Sequence, residues 1–235
     1  MPNSLSSYIA IALIPLVFGL IVLFKFNPSK KQIKILLAFS GAFLLGISFL
    51  HLLPEVFAHK SVEASYFILG GFFLQLLLEY FSQGIEHGHI HIHKKTSQFP
   101  LTIFLSLCIH ALIEGMPVGA HHHHHSDHSL LYGVILHKIP IAITLTGLLL
   151  ASGVSRVTGI ISLILFSAMA PLGMLVSQTA INPEHLTYVT AFVVGMLLHI
   201  STTILFESTE GHKFNLGKFI TIVIGLALSF LSVSI

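Results

Sequence analysis

Apolar residues run along this chain in blocks, each closed by a short polar break. A helix that crosses the hydrocarbon core of a bilayer needs about 20 mainly apolar residues. Eight stretches meet that need: 8–24, 35–55, 62–83, 100–120, 129–150, 156–178, 186–206 and 216–235. The breaks include Asn27-Pro28-Ser29-Lys30-Lys31, Asn182-Pro183-Glu184 and Glu210-Gly211-His212-Lys213. The second and third blocks lie close together, so seven spans is the alternative count. The pattern predicts an all-α membrane protein, with eight transmembrane helices in a single transmembrane domain over residues 1–235.

Composition sharpens this picture. The chain is 54% apolar and only 9% charged, with a mean hydropathy of +0.91, where a soluble domain carries about a quarter charged residues. The net charge of +2 argues against nucleic acid as a partner. Cys108 stands alone, which excludes an internal disulfide and a cysteine-based zinc knuckle. A secretory signal peptide has cations ahead of its apolar stretch. Here the first cation, Lys25, follows the first block, so that block is expected to be a retained span. The 17 histidines are the anomaly, since ordinary usage would give about 5.

Lys and Arg in short loops set the orientation. With the N-terminus outside, the cytoplasmic side holds Lys25, Lys30, Lys31, Lys34, Lys94, Lys95, Arg156, Lys213 and Lys218, and the outer side holds Lys60. This asymmetry predicts a multi-pass protein of the cell membrane with both termini outside. The loop at 84–97, with His87, His89, His91 and His93, is then cytoplasmic. The loop at 121–128, with His121, His122, His123, His124 and His125, is then external. Alternating neutral imidazoles make a weak, exchangeable zinc site. The bland readings are a merely polar loop for the first run and a purification tag for the second.

A faint internal repeat accompanies the blocks. Ala42-Phe43-Leu44-Leu45-Gly46 is echoed by Ala191-Phe192-Val193-Val194-Gly195, each followed by a histidine, His51 and His199. Pro15-Leu16 is echoed by Pro171-Leu172. Spans 1–3 and 6–8 would then form an inverted repeat around spans 4 and 5, a 3+2+3 arrangement common in secondary transporters. Chance similarity between apolar segments is the alternative.

Ionisable groups at mid-span cost about 2.5–3.5 kcal/mol or more, so each is a functional hypothesis. His110 and Glu114 are four residues apart in the fourth span and share one helix face. His137 and Lys138 lie within the fifth. At 1.5 Å per residue, Glu114, His110 and His137 sit roughly 9, 15 and 12 Å below the outer ends of their spans. Imidazole nitrogen and carboxylate oxygen suit zinc. Pro117 and Pro140 are expected to break the two helices beside this level and free carbonyls there. Mutual hydrogen bonding of the three groups is the structural alternative. His51 and Glu55, also four apart, are either an entrance site or interfacial polar residues. Glu79 is either an exit contact or a solvated helix end, and His199 either lines a path or is simply packed.

These residues resemble the ZIP family of zinc and iron permeases. The resemblance rests on His51-x-x-Pro54-Glu55, Gly70-Gly71-Phe72-Phe73 through Glu79, the His-rich loop that follows, His110-x-x-x-Glu114-Gly115, His137-Lys138 and Ala170-Pro171-Leu172-Gly173. It implies eight spans, outer termini and a metal site between spans four and five. Members with two adjacent metals carry Asn, an acidic or amide residue, Glu and Glu where this chain has Ala111, Lys138, Ile141 and Ala170. The His-Lys pair is similar to the subgroup with one transport metal, so Lys138 would stand in for the second metal. A water or a further residue must then supply the fourth ligand. Lys138 would either lose its proton while metal is bound or pair with Glu114 once the metal has left.

The expected function is transport of a divalent transition metal, foremost zinc uptake into the cytoplasm by alternating access through a midplane site. The competing readings are an intramembrane zinc-dependent hydrolase and a metal-binding sensor. No enzymatic activity and no resident cofactor are expected. The cargo is Zn2+, with Fe2+, Mn2+ or Cd2+ as alternatives. The expected partners are that ion and the lipid bilayer, with a homodimer left open.

Overall fold

The polar breaks become helix caps. Ser29 opens the second span as a capping box. The Gln32 backbone N–H donates to Ser29 Oγ (3.3 Å), and the Ser29 backbone N–H donates to Gln32 Oε1 (2.8 Å). Ser155 likewise accepts from the Thr158 N–H at 3.1 Å. The computed structural model describes residues 5–25, 28–59, 61–87, 99–120, 127–207 and 216–234.

The helices are α1 (Leu5–Phe24), α2 (Lys30–Ile47), α3 (Leu53–His59), α4 (Ser61–Ser82), α5 (Leu101–Ala120), α6 (Asp127–Ala151), α7 (Arg156–Ala180), α8 (Leu186–Glu207) and α9 (Leu216–Ser234). A π-turn over Ser48–Leu52 joins α2 to α3, and together they make one span. Among the described residues, eight helical stretches are long and apolar enough to cross a membrane. The π-turn has a local cause. Pro54 has no N–H and its ring crowds the carbonyl four residues earlier, and widening the preceding turn relieves that crowding.

Helices α5 and α6 continue through Pro117 and Pro140, so the expected breaks do not occur. One lost N–H per helix is tolerated inside a packed bundle. Near the second proline the Thr144 hydroxyl donates back to the Pro140 carbonyl at 2.7 Å.

The packing falls into two groups of four spans. In one, α5 packs on α7, and α1 on α6 and α7. In the other, α4 packs on α8, and α2 on α9 and α8. The groups meet where α2 touches α6, α8 touches α5, α4 touches α5 and α9 touches α6. Exchanging the first span with the sixth, second with seventh, third with eighth and fourth with fifth maps each contact onto another in this set. The exchange pairs spans of opposite direction, so the packing carries the inverted 3+2+3 repeat that the faint sequence echo suggested.

Glycines permit the closest crossings. A Cβ on Gly71 would lie 1.8 Å from the Phe192 carbonyl oxygen, and one on Gly195 would lie 1.8 Å from that of Ile68. Backbones of α4 and α8 therefore touch directly, the packing that small residues allow where lipid is the solvent. Outward-facing Phe73, Leu77, Phe219, Ile220 and Phe230 leave an apolar exterior suited to hydrocarbon. Gln75, Glu86, His110, Glu114, His137 and Lys138 are instead buried inside the bundle.

Candidate metal site

His110 and Glu114 project from α5, one turn apart, and His137 projects from α6. All three are buried, and one ligand atom from each lies within 4.8 Å of the others. The level inferred from residue counting is therefore shared in space. His110 Nε2 lies 3.5 Å from Glu114 Oε2. The two imidazoles meet edge to face, with ring centroids 6.1 Å apart. Tetrahedral zinc with bonds of about 2.0–2.1 Å holds its ligands about 3.3 Å apart. The His110–Glu114 pair already has that spacing, and His137 needs to draw in by at most about 1.5 Å. Neither Glu114 oxygen accepts a hydrogen bond among the described residues. A buried carboxylate without donors is costly, and a bound cation would satisfy it.

The imidazoles are set by their other nitrogens. His110 Nδ1 lies 3.0 Å from Gln75 Oε1. The Gln75 amide donates through Nε2 to Glu86 Oε2 at 3.4 Å, which makes its oxygen the acceptor facing His110. Ser82 Oγ also donates to Glu86 Oε2, at 3.1 Å. His137 Nδ1 has a longer contact, 3.5 Å, with Ser40 Oγ, whose proton is given to the Leu37 carbonyl. At His110 the Gln75 acceptor places the proton on Nδ1, and Nε2 keeps the lone pair that a metal needs.

Gln75 and Glu86 are not among the residues that the sequence singles out. Glu86 is fully buried, although it falls in the stretch read as a cytoplasmic loop. The reason is local. Gln83 and Gly84 adopt positive φ, 57° and 69°, which ends α4 and turns the chain back. The Gly84 N–H caps the Glu79 carbonyl at 3.3 Å. A 3-10 turn, Ile85–His87, then tucks against α6 and α8. One signal was available. Gln75, Glu79, Ser82 and Glu86 are spaced 4-3-4, a polar stripe on one helical face.

The positions that differ from the two-metal pattern are apolar or cationic. Ala111 and Ile141 lie in one buried apolar cluster and Ala170 in another. Lys138 is fully buried, with its ammonium 4.7 Å above the centre of the Phe166 ring. It makes no hydrogen bond among the described residues.

The remaining candidates lie away from this cluster. His51 sits on the π-turn, its Nε2 3.8 Å from Glu55 Oε2, with both side chains partly exposed. His199 is hydrogen-bonded through Nε2 to Glu79 and stands edge-on to Phe72, 4.8 Å between ring centroids. Glu79 is thus a paired group, not a solvated helix end, and His199 is a packed and satisfied one. His89, His91, His93 and His121 to His125 lie outside the described residues, as does the side chain of His87.

The profile described as ZIP Zinc transporter matches residues 97–232, more than half of the chain and all of the fourth to seventh spans. The chain belongs to the ZIP zinc transporter family. Zinc transporter ZIP1 of zebrafish (Danio rerio) is 26% identical over 99 residues, covering 42% of this chain and 33% of that relative. This ZIP chain therefore matches about a third of the relative's length. Membership and eight apolar spans together make it a multi-pass membrane protein.

Proposed function

We propose that the protein carries a divalent transition metal, zinc foremost, into the cytoplasm by alternating access, with His110, Glu114 and His137 as the transport ligands. One observation carries this reading: two imidazoles and a donor-free carboxylate converge at one buried point between two of the apolar spans. The ligands belong to the group formed by α1, α5, α6 and α7, and the other group walls them in. Sliding one group against the other would open the site to each side in turn. Lys138 takes the place of a second metal, since Ala111, Ile141 and Ala170 offer no donor. His51 and Glu55 form an entrance site. The histidine runs at 84–97 and 121–128 concentrate the ion on either side without moving it through roughly 30 Å of hydrocarbon.

The deciding experiment is uptake into proteoliposomes with Zn2+, Fe2+, Mn2+ and Cd2+ in parallel. Saturable accumulation led by Zn2+ is the expected result. Zinc binding without flux would favour a sensor, and a zinc-dependent hydrolytic activity without flux would favour the hydrolase.

Both termini are assigned to the outside. In a Cys108→Ser background, Ser126→Cys should react with an impermeant thiol reagent applied to intact cells, and Thr96→Cys only after lysis. The opposite pattern would invert entrance and exit.

A further inference from the structure

The contacts described for Nδ1 of the two metal-facing imidazoles reach helices other than those that carry them. His110 belongs to the group of α1, α5, α6 and α7, whereas Gln75 lies on α4, in the other group. Its orienting partners, Ser82 and Glu86, lie at the end of α4 and on the turn that follows. Gln75, Ser82 and Glu86 are all fully buried, so water does not compete for these bonds. The chain runs Ser82 to Glu86 to Gln75 to His110, crossing from one group to the other at its last step. Ser40, the longer contact of His137, also lies in the opposite group, on α2.

An imidazole binds zinc only through an unprotonated nitrogen. In a neutral ring the proton sits on one nitrogen or the other, and the neighbour's acceptor decides which. Gln75 Oε1 is an acceptor because Glu86 takes its amide protons. We propose that Gln75, oriented by Glu86, is a positioning residue for metal binding. It holds the His110 proton on Nδ1 from across the group interface, so the site has its full affinity only in the register seen here. The inference rests on the transport-site reading above. It adds a consequence: a shift between the groups that opens the site also removes the acceptor and weakens the grip on the ion.

The test is zinc binding by the purified full-length protein, measured calorimetrically with zinc alone, alongside thermal unfolding of the metal-free protein. Gln75→Met keeps the bulk and loses the acceptor. Its zinc Kd should rise about 10–100-fold, the usual effect of losing a partner of a metal-bound histidine, with the metal-free Tm little changed. Gln75→Glu alone sets two carboxylates side by side and should also weaken binding. The swap Gln75→Glu with Glu86→Gln restores one acceptor facing His110 and one amide behind it, and should return the Kd to within a few-fold of the parent. Parental affinity in Gln75→Met would overturn the proposal. If Gln75→Met does not fold, a swap no better than Gln75→Glu alone would overturn it equally. His137→Ala is the reference. Parental binding there would mean that the transport-site reading has failed, whereas lost binding there with parental binding in Gln75→Met would mean that the present inference alone has failed.

Discussion

Replacing His137 with alanine is expected to reduce zinc uptake by more than about 100-fold, since even the supporting partners of metal-bound histidines cost 10–100-fold when removed. Among the three ligands this substitution gives the cleanest test. His137 is buried, and its described hydrogen-bond contact is the long one to Ser40, whose own proton is already given to the Leu37 carbonyl. Losing that contact does not strand the Ser40 hydroxyl, which keeps the Leu37 carbonyl as its acceptor. His110→Ala would instead strand Gln75 Oε1, at about 1–3 kcal/mol for an unsatisfied buried group, and a folding defect would blur the result. Glu114→Gln is the companion variant. It keeps the shape and removes the carboxylate charge that faces His110 at 3.5 Å. Initial rates of zinc uptake into proteoliposomes, read beside the unfolding temperature, check both. Parental uptake by His137→Ala would place the transport site elsewhere.

Much of this architecture is readable from the chain because lipid imposes simple rules. Apolar blocks of spanning length give the eight helices, and residue counting along two antiparallel spans puts His110, Glu114 and His137 at one level. Counting depth does not reveal what surrounds that level. Glu86 looks like part of a polar loop until the positive φ of Gln83 and Gly84 turns it inward, and αL backbone at a glutamine has no sequence signature. Pro117 and Pro140 read as helix breakers from local chemistry, yet tertiary packing holds α5 and α6 continuous. Glu79 and His199, 120 residues apart, are each ambiguous alone, and only the α4–α8 crossing makes them a pair. The features that escaped the sequence depend on contacts between helices, within a group or between the two groups, or on a single backbone turn.

Adding a single methyl group at Gly173 is expected to disturb both the fold and the metal site. A Cβ there would lie 1.9 Å from the Leu112 carbonyl oxygen and 3.2 Å from the Met116 backbone nitrogen. Both are backbone atoms of α5, so no rotamer change relieves the clash and the helix itself must move. Leu112 lies midway between His110 and Glu114, so whatever shifts it also shifts two of the three metal ligands. The crossing is tight from both sides, since a Cβ on Gly115 would meet the Ala170 carbonyl oxygen at 2.2 Å. Overpacking costs about 1–3 kcal/mol where side chains can adjust, and a backbone clash should cost at least that. Gly159, on the same helix α7, supplies the contrast. Its Cβ would meet only the end of the Leu23 side chain, at 3.2 Å, which can give way. Alanine is favoured over glycine in a helix by about 0.5–1 kcal/mol, so Gly159→Ala should unfold at or slightly above the parental temperature and take up zinc normally. Gly173→Ala should unfold well below it and lose most zinc uptake. Thermal unfolding in detergent and uptake in proteoliposomes separate the two, and a Gly173→Ala protein equal to the parent in both would mean that α5 and α7 do not cross as closely as described.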